Sequence, residues 1–179
     1  MNLHLMIDLE TLGDSPDAMV AEAGYAVFDP HQTNVEFFGS WHLNLEEQMF
    51  KREVNINVIQ WWLKQNEAAR EKIALNRDRV PVEEFLLEFS QLDWQNYEGV
   101  WSHGLAYDIP ILTHLFKQYH REVPWHFWVT RDTRTIFWLA KLGKTDLFVP
   151  EISHSAVHDA IAQARSIQKA FQSIEVTKK

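Results

Sequence analysis

Residues 3–10 alternate along the chain, with Leu3, Leu5, Ile7 and Leu9 on one side and His4, Met6, Asp8 and Glu10 on the other. A period of two marks a strand that turns one face to a core. The turn-forming run Gly13-Asp14-Ser15-Pro16-Asp17 interrupts it, and residues 21–28 and 35–43 then predict two further strands joined through Asp29-Pro30-His31. Three strands with short connections predict an antiparallel meander.

The period changes after Asn55. Ile56, Ile59 and Leu63, with Trp62 beside them, recur at helical spacing, and a second helical pattern follows Pro81 through Phe85, Leu86 and Phe89. Beyond this helical insert the chain predicts a short strand at 99–103, a helix at 109–119, a short strand at 127–130, a helix at 133–142 capped by Asp132, and a last helix at about 155–171. This is a mixed α/β order, a meander followed by crossover units. No repeat or linker interrupts it, so residues 1–174 are read as one domain and 175–179 as a loose tail.

Composition narrows the class. The chain has 179 residues, 46% of them hydrophobic, enough for one sizeable core. It has no run of eighteen apolar residues and no leader pattern, so no membrane partner is expected and the expected location is cytoplasmic. The absence of cysteine excludes disulfides, a reactive thiol and a thiolate zinc site. A formal charge of -8 argues against a broad basic face for duplex nucleic acid, although a site built of carboxylates is itself acidic and needs cations before a phosphate can approach. Most of the eight tryptophans are expected to fill the core.

Asp8 and Glu10, two apart on a strand, leave the same face and repel each other, which is tolerable where a cation compensates. Oxygen ligands of this kind suit magnesium or manganese. Taken singly, the pair also fits an exposed strand face. Asp108, just before Ile109-Pro110, equally fits an acid at a helix start, and Gly104 offers a bend where a ligand backbone approaches closely. Asp159 lies in the first turns of the last helix, with His154 just before it. A histidine titrates near neutrality and is suited to take the proton of an attacking water. His158 is its neighbour, but adjacent helical side chains diverge, so His158 is read as a surface or supporting residue.

In order and spacing, Ile7-Asp8-Leu9-Glu10-Thr11, His103-Gly104-Leu105-Ala106-Tyr107-Asp108 and His154-x-x-x-x-Asp159 resemble the three motifs of the DEDDh 3′→5′ exonucleases, the group of proofreading subunits and oligoribonuclease. Arg131-Asp132-Thr133-Arg134-Thr135 and Trp61-Trp62-x-x-Gln65 resemble its small phage-type and mycobacterial exoribonuclease subgroup. His158 departs from the pattern, since many relatives carry an acid there. The resemblance implies a ribonuclease-H-like fold, with three antiparallel strands followed by two parallel ones, flanked by helices. It implies two Mg2+ or Mn2+ ions about 4 Å apart, bridged by Asp8 and completed by Glu10, Asp108 and Asp159, with His154 as general base. The implied reaction releases nucleoside 5′-monophosphates from 3′ ends of single-stranded DNA or RNA.

For substrate contacts, the resemblance implies that the terminal hydroxyl is held near Glu10, Thr11 and Leu12, that Trp61 or Trp62 with Gln65 lines the nucleotide pocket, and that His103 and Arg131 contribute. One tryptophan of the pair must face the core if the helix is amphipathic. Arg131, Arg134, Lys51 and Arg52 are expected phosphate contacts, or equally solvated charges. The sequence leaves the oligomeric state open, with a homodimer as one option by fold-level analogy. Two rivals remain: a zinc hydrolase using His154 and His158, which lacks the Glu of His-Glu-x-x-His, and a silent nucleic-acid-binding module of the same fold, which has no need of four clustered carboxylates.

Overall fold

The computed structural model describes residues 2–74 and 78–176. Its centre is β1 (Leu3–Thr11), paired antiparallel with β2 (Val20–Phe28), which pairs antiparallel with the edge strand β3 (Val35–His42). The helical insert comprises α1 (Leu45–Gln48), α2 (Ile56–Leu63), α3 (Glu67–Ala74) and α4 (Val82–Ser90). The chain then returns through β4 (Tyr97–Ser102), parallel to β1, α5 (Asp108–Gln118), β5 (Thr130–Asp132), parallel to β4, α6 (Thr133–Leu139) and α7 (Ala156–Val176). The strand order β3-β2-β1-β4-β5, antiparallel and then parallel, is the ribonuclease-H-like arrangement.

Both faces of the sheet are covered. Leu5, Ile7, Leu9 and Val100 pack against Phe85, Leu86 and Phe89 of α4 and Ile111, Leu112, Leu115 and Phe116 of α5. On the opposite face Met6, Ala26, Phe28 and Trp101 meet Phe137 of α6 and Ala160, Ala164 and Ile167 of α7. Small residues bring α7 close to the strands. Gly24 of β2 is where this matters most, because a Cβ there would lie 2.2 Å from the backbone carbon of Ala156. The start of α7 therefore rests on β2 with no side chain between them.

Several boundaries differ from those the pattern predicts, including the helix expected at 133–142, which ends at Leu139. The strand expected at 127–130 begins at Thr130, because Phe127–Val129 forms a 3-10 turn closed by Val129 N–H donating to the His126 carbonyl at 3.1 Å and by Thr130 Oγ1 donating to the Phe127 carbonyl at 2.7 Å. Pairing with β4 starts only at Thr130. The helix α7 continues through Glu175 and Val176, and the remainder of the expected loose tail lies outside the described residues. Helix α3 was not expected: it has little apolar stripe and is anchored through buried Ala69, which packs with Leu12 and Trp62. Among the described residues, no helix is long and apolar enough to cross a membrane.

Candidate active site

The face of β1 that packs on α7 changes character along its length. Met6 is fully buried among apolar groups, whereas Asp8 and Glu10, farther along, face the first turns of α7. There Asp8, Glu10 and Asp159 each offer a carboxylate oxygen, and these atoms lie within 4.8 Å of one another. Asp159 is fixed by its own helix end, its Oδ2 accepting the Ser155 N–H at 3.1 Å. One turn later Gln163 donates from Nε2 to Asp8 Oδ1 at 2.8 Å.

Asp108 approaches from the opposite side. Strand β4 ends at Ser102 and the chain bends at Gly104, whose φ of +102° favours glycine. The ladder beside β1 therefore stops short, and the Leu9 N–H donates to Asp108 Oδ1 at 3.2 Å. Asp108 is the first residue of α5 and is buried.

Crowding dominates the electrostatics. Burial, then Asp108, Glu10 and Asp159, push the Asp8 carboxyl well above the ordinary carboxylate range, while the Gln163 amide draws it back in part. Burial pushes Asp108 up to about 7 against the pull of the Leu9 N–H and of Arg134. Burial also raises Asp159, although the backbone N–H groups at Ser155 and His154 and the nearby His154 ring oppose it. Carboxylates crowded in this way resist ionising together unless positive charge is brought beside them.

His154 precedes α7 at a positive φ of 59°. Its ring meets Trp61 edge to face at a centroid distance of 4.8 Å and Trp62 at 5.9 Å. His158 turns elsewhere, to within 4.0 Å of the exposed Glu151 carboxylate. The two histidines therefore do not converge as a zinc-ligand pair requires.

A pocket of about 440 Å³ opens beside the acids, lined by residues including Glu10, Thr11, Val58, Trp61 and Tyr107. The tryptophan pair divides its roles. Trp62 is 4% exposed and donates from Nε1 to the Thr11 carbonyl at 2.8 Å, while Trp61 is 44% exposed along the pocket. Thr11 Oγ1 donates to the Gly13 carbonyl at 2.7 Å and lies 2.6 Å from the Tyr107 hydroxyl, which itself donates to Gly13 at 3.0 Å. This triangle fixes the tyrosine wall.

Other expected contacts lie outside the pocket lining. Leu12 packs inward, with its N–H donating to the Met19 carbonyl and its carbonyl accepting from Asn55 N–H, both at 2.9 Å. Gln65 donates back to the Trp61 carbonyl at 3.0 Å, and Arg131 to the carbonyls of Trp128 at 2.7 Å and Thr130 at 3.1 Å. His103 Nδ1 is 2.7 Å from Thr133 Oγ1, and burial followed by Arg134 lowers its pKa. Arg52 is buried and donates to the Ala18 carbonyl and to Gln118 Oε1, each at 2.8 Å, so it braces the fold.

Three neighbours of the acids escaped the motif reading. Gln163 stands four residues after Asp159, the spacing that puts two side chains on one helix face, so its position was legible. Tyr107 stood within the second motif itself. Buried Glu22 is aligned with Glu10 across the β1–β2 ladder, a match that depends on the register.

Acids on the central strand of a ribonuclease-H-like sheet are thus joined by acids at the starts of two helices and by a histidine before the last. A family model described as the 3'-5' exoribonuclease Rv2179c-like domain matches residues 3–171, and the chain belongs to that family and is a 3′→5′ exonuclease. It is similar to an exodeoxyribonuclease of Enterobacteria phage T4, 27% identical over 192 residues that cover 86% of this chain and 82% of the phage protein. Among solved structures, it is similar to the zinc-bound complex of E. coli exonuclease I with single-stranded DNA, at a TM-score of 0.67 and 12% identity. That match covers 98% of this chain but 41% of exonuclease I, so the chain spans about two fifths of that protein. The nuclease domain of 3'hExo, a DEDDh member bound to rAMP, matches at a TM-score of 0.59 and 11% identity, covering 96% of this chain and 92% of that one. At these identities the two structures speak for the fold.

Proposed function

We propose that Asp8, Glu10, Asp108 and Asp159 hold two divalent cations, Mg2+ or Mn2+, and that the chain hydrolyses single-stranded DNA or RNA from its 3′ end, releasing nucleoside 5′-monophosphates. The observation that carries the reading is the convergence of Asp8, Glu10 and Asp159 within 4.8 Å, with buried Asp108 raising the Asp8 pKa from the other side. An all-oxygen donor set fits hard divalent ions. Such ions, when bound, make water a nucleophile near neutral pH and neutralise charge on a scissile phosphate.

The chain's own groups do the rest. Gln163 holds Asp8 in place, and the Ser155 N–H does the same for Asp159. His154, braced by the edge contact with Trp61, takes the proton of the attacking water on its imidazole. The slot between Trp61 and Tyr107 receives the terminal nucleotide. The acidic net charge favours single strands over duplexes. The family description names an exoribonuclease, the phage relative is an exodeoxyribonuclease, and exonuclease I was solved with single-stranded DNA, so both sugars belong in the test.

The test is digestion of 5′-labelled DNA and RNA strands of matched sequence with Mg2+ or Mn2+, alongside closed single-stranded circles. The expected result is a ladder shortening from the 3′ end, mononucleotide products and intact circles. Efficient cleavage of a circle overturns the terminus pocket.

A further inference from the structure

Helix α6 presents an outer face that the site does not use. Thr133 and Phe137 are buried, whereas Arg134 and Trp138, four apart and so on one face, are exposed, Trp138 by 79%. Lys141, also exposed, closes the helix end at a positive φ of 57°. Residues 133–145 carry Arg134, Lys141 and Lys144 and no acid, in a chain whose formal charge is -8. The face begins at the active site, since the Arg134 guanidinium lies 3.2 Å from where a Cβ on Gly104 would stand. It acts electrostatically on both Asp108 and His103. From Arg134 to Trp138 the track runs about 6 Å at the rise of a helix, and Lys141 follows just past the helix end.

A large ring left almost wholly in water, between cations and continuous with the acid cluster, matches the stacking platforms and basic grooves that hold single strands. We propose that the outer face of α6, through Arg134, Trp138 and Lys141, carries the nucleotides 5′ to the scissile phosphate, with a base stacked on Trp138. The inference rests on the exonuclease reading and assigns its substrate a path. A dinucleotide offers a single nucleotide 5′ to the scissile phosphate where a long strand offers many, so the surface is expected to act chiefly on long strands.

The test compares wild type, Trp138→Ala and Trp138→Phe on a labelled single-stranded 12-mer and a dinucleotide, by fluorescence anisotropy and by steady-state kinetics with Mn2+. Trp138→Ala is expected to raise Kd and KM for the 12-mer about tenfold, with kcat and all dinucleotide values unchanged. Trp138→Phe is expected to recover most of the loss. Unchanged 12-mer affinity in Trp138→Ala overturns the proposal, as does an equal loss on the dinucleotide, which marks a structural effect. A variant that dissolves a dimer in size-exclusion chromatography while binding the 12-mer normally makes the face a subunit interface instead. A wild type that binds the 12-mer through Trp138 yet hydrolyses neither substrate sinks the exonuclease reading and keeps the surface.

Discussion

The two faces of β1 are made from the same strand and do opposite work. Leu5, Ile7 and Leu9 all enter one apolar core, so that face gains from every residue it buries. The other face starts with buried His4 and with Met6 among α7 alanines, then gives its last two positions to Asp8 and Glu10. Those positions cost stability, because burial and like charge disfavour ionised carboxylates. One face holds the strand still so that the other can keep a strained cluster in place.

The largest expected effect separates these neighbours directly. Asp8→Ala is expected to remove nearly all nuclease activity without lowering the melting temperature of the metal-free protein. Ile7→Ala should cost about 2–5 kcal/mol of stability while activity per folded molecule stays close to wild type. Denaturant unfolding paired with a nuclease assay measures both, and wild-type turnover by folded Asp8→Ala would break the comparison.

Next in size is the contrast between the histidines. His154→Ala is expected to slow hydrolysis by about two to four orders of magnitude, whereas His158→Ala, whose ring turns toward Glu151, should change the rate little. Single-turnover rates on one substrate decide, and the reverse order would assign the base to His158.

The smallest effect is a pH dependence of stability without metal. Burial holds Asp108 at about 7, above its ordinary 3.8, so the folded protein binds that proton more tightly than the unfolded chain. The Asp108 contribution to stability therefore rises by about 1 kcal/mol as pH falls from about 8 to about 6.5, with raised Asp8 and Asp159 acting in the same direction. Buried His4 works the other way: its pKa is lowered from 6.5 to about 4, so the unfolded chain is protonated first and stability is lost across that window. His103 is also lowered and adds to the loss. Thermal melts in chelator should thus climb from pH 8 to 6.5 before the gain is eroded. A steady fall over the first interval contradicts the crowding of the acids.

Much of this was legible in residue order. The alternation at 3–10 fixed which side chains share a face of β1, and helical spacing placed Asp159 at the start of α7. What escaped depended on which backbone group each segment met, some of them neighbours and some distant in sequence. The strand expected at 127–130 was displaced because Thr130 and Val129 close a local turn before pairing begins. Periodicity recognised that one of Trp61 and Trp62 must be buried but could not choose, since the choice follows from the Thr11 carbonyl that takes the Trp62 N–H. Leu12, Gln65 and Arg131 stood near motif residues in sequence, yet Leu12 packs inward and pairs through its backbone with Met19 and Asn55, while nearby carbonyls take the side chains of Gln65 and Arg131. Proximity along the chain shows which residues travel together, not which way each one turns.

The central claim, that the acid cluster is a cation site, is tested most directly by melting wild type and Asp8→Asn with and without Mn2+. Wild type should gain about 2.7 kcal/mol at a hundredfold excess over Kd, while Asp8→Asn should be at least as stable as wild type without metal and gain far less from it. A wild type indifferent to Mn2+, or an Asp8→Asn variant with the full shift, would contradict the account.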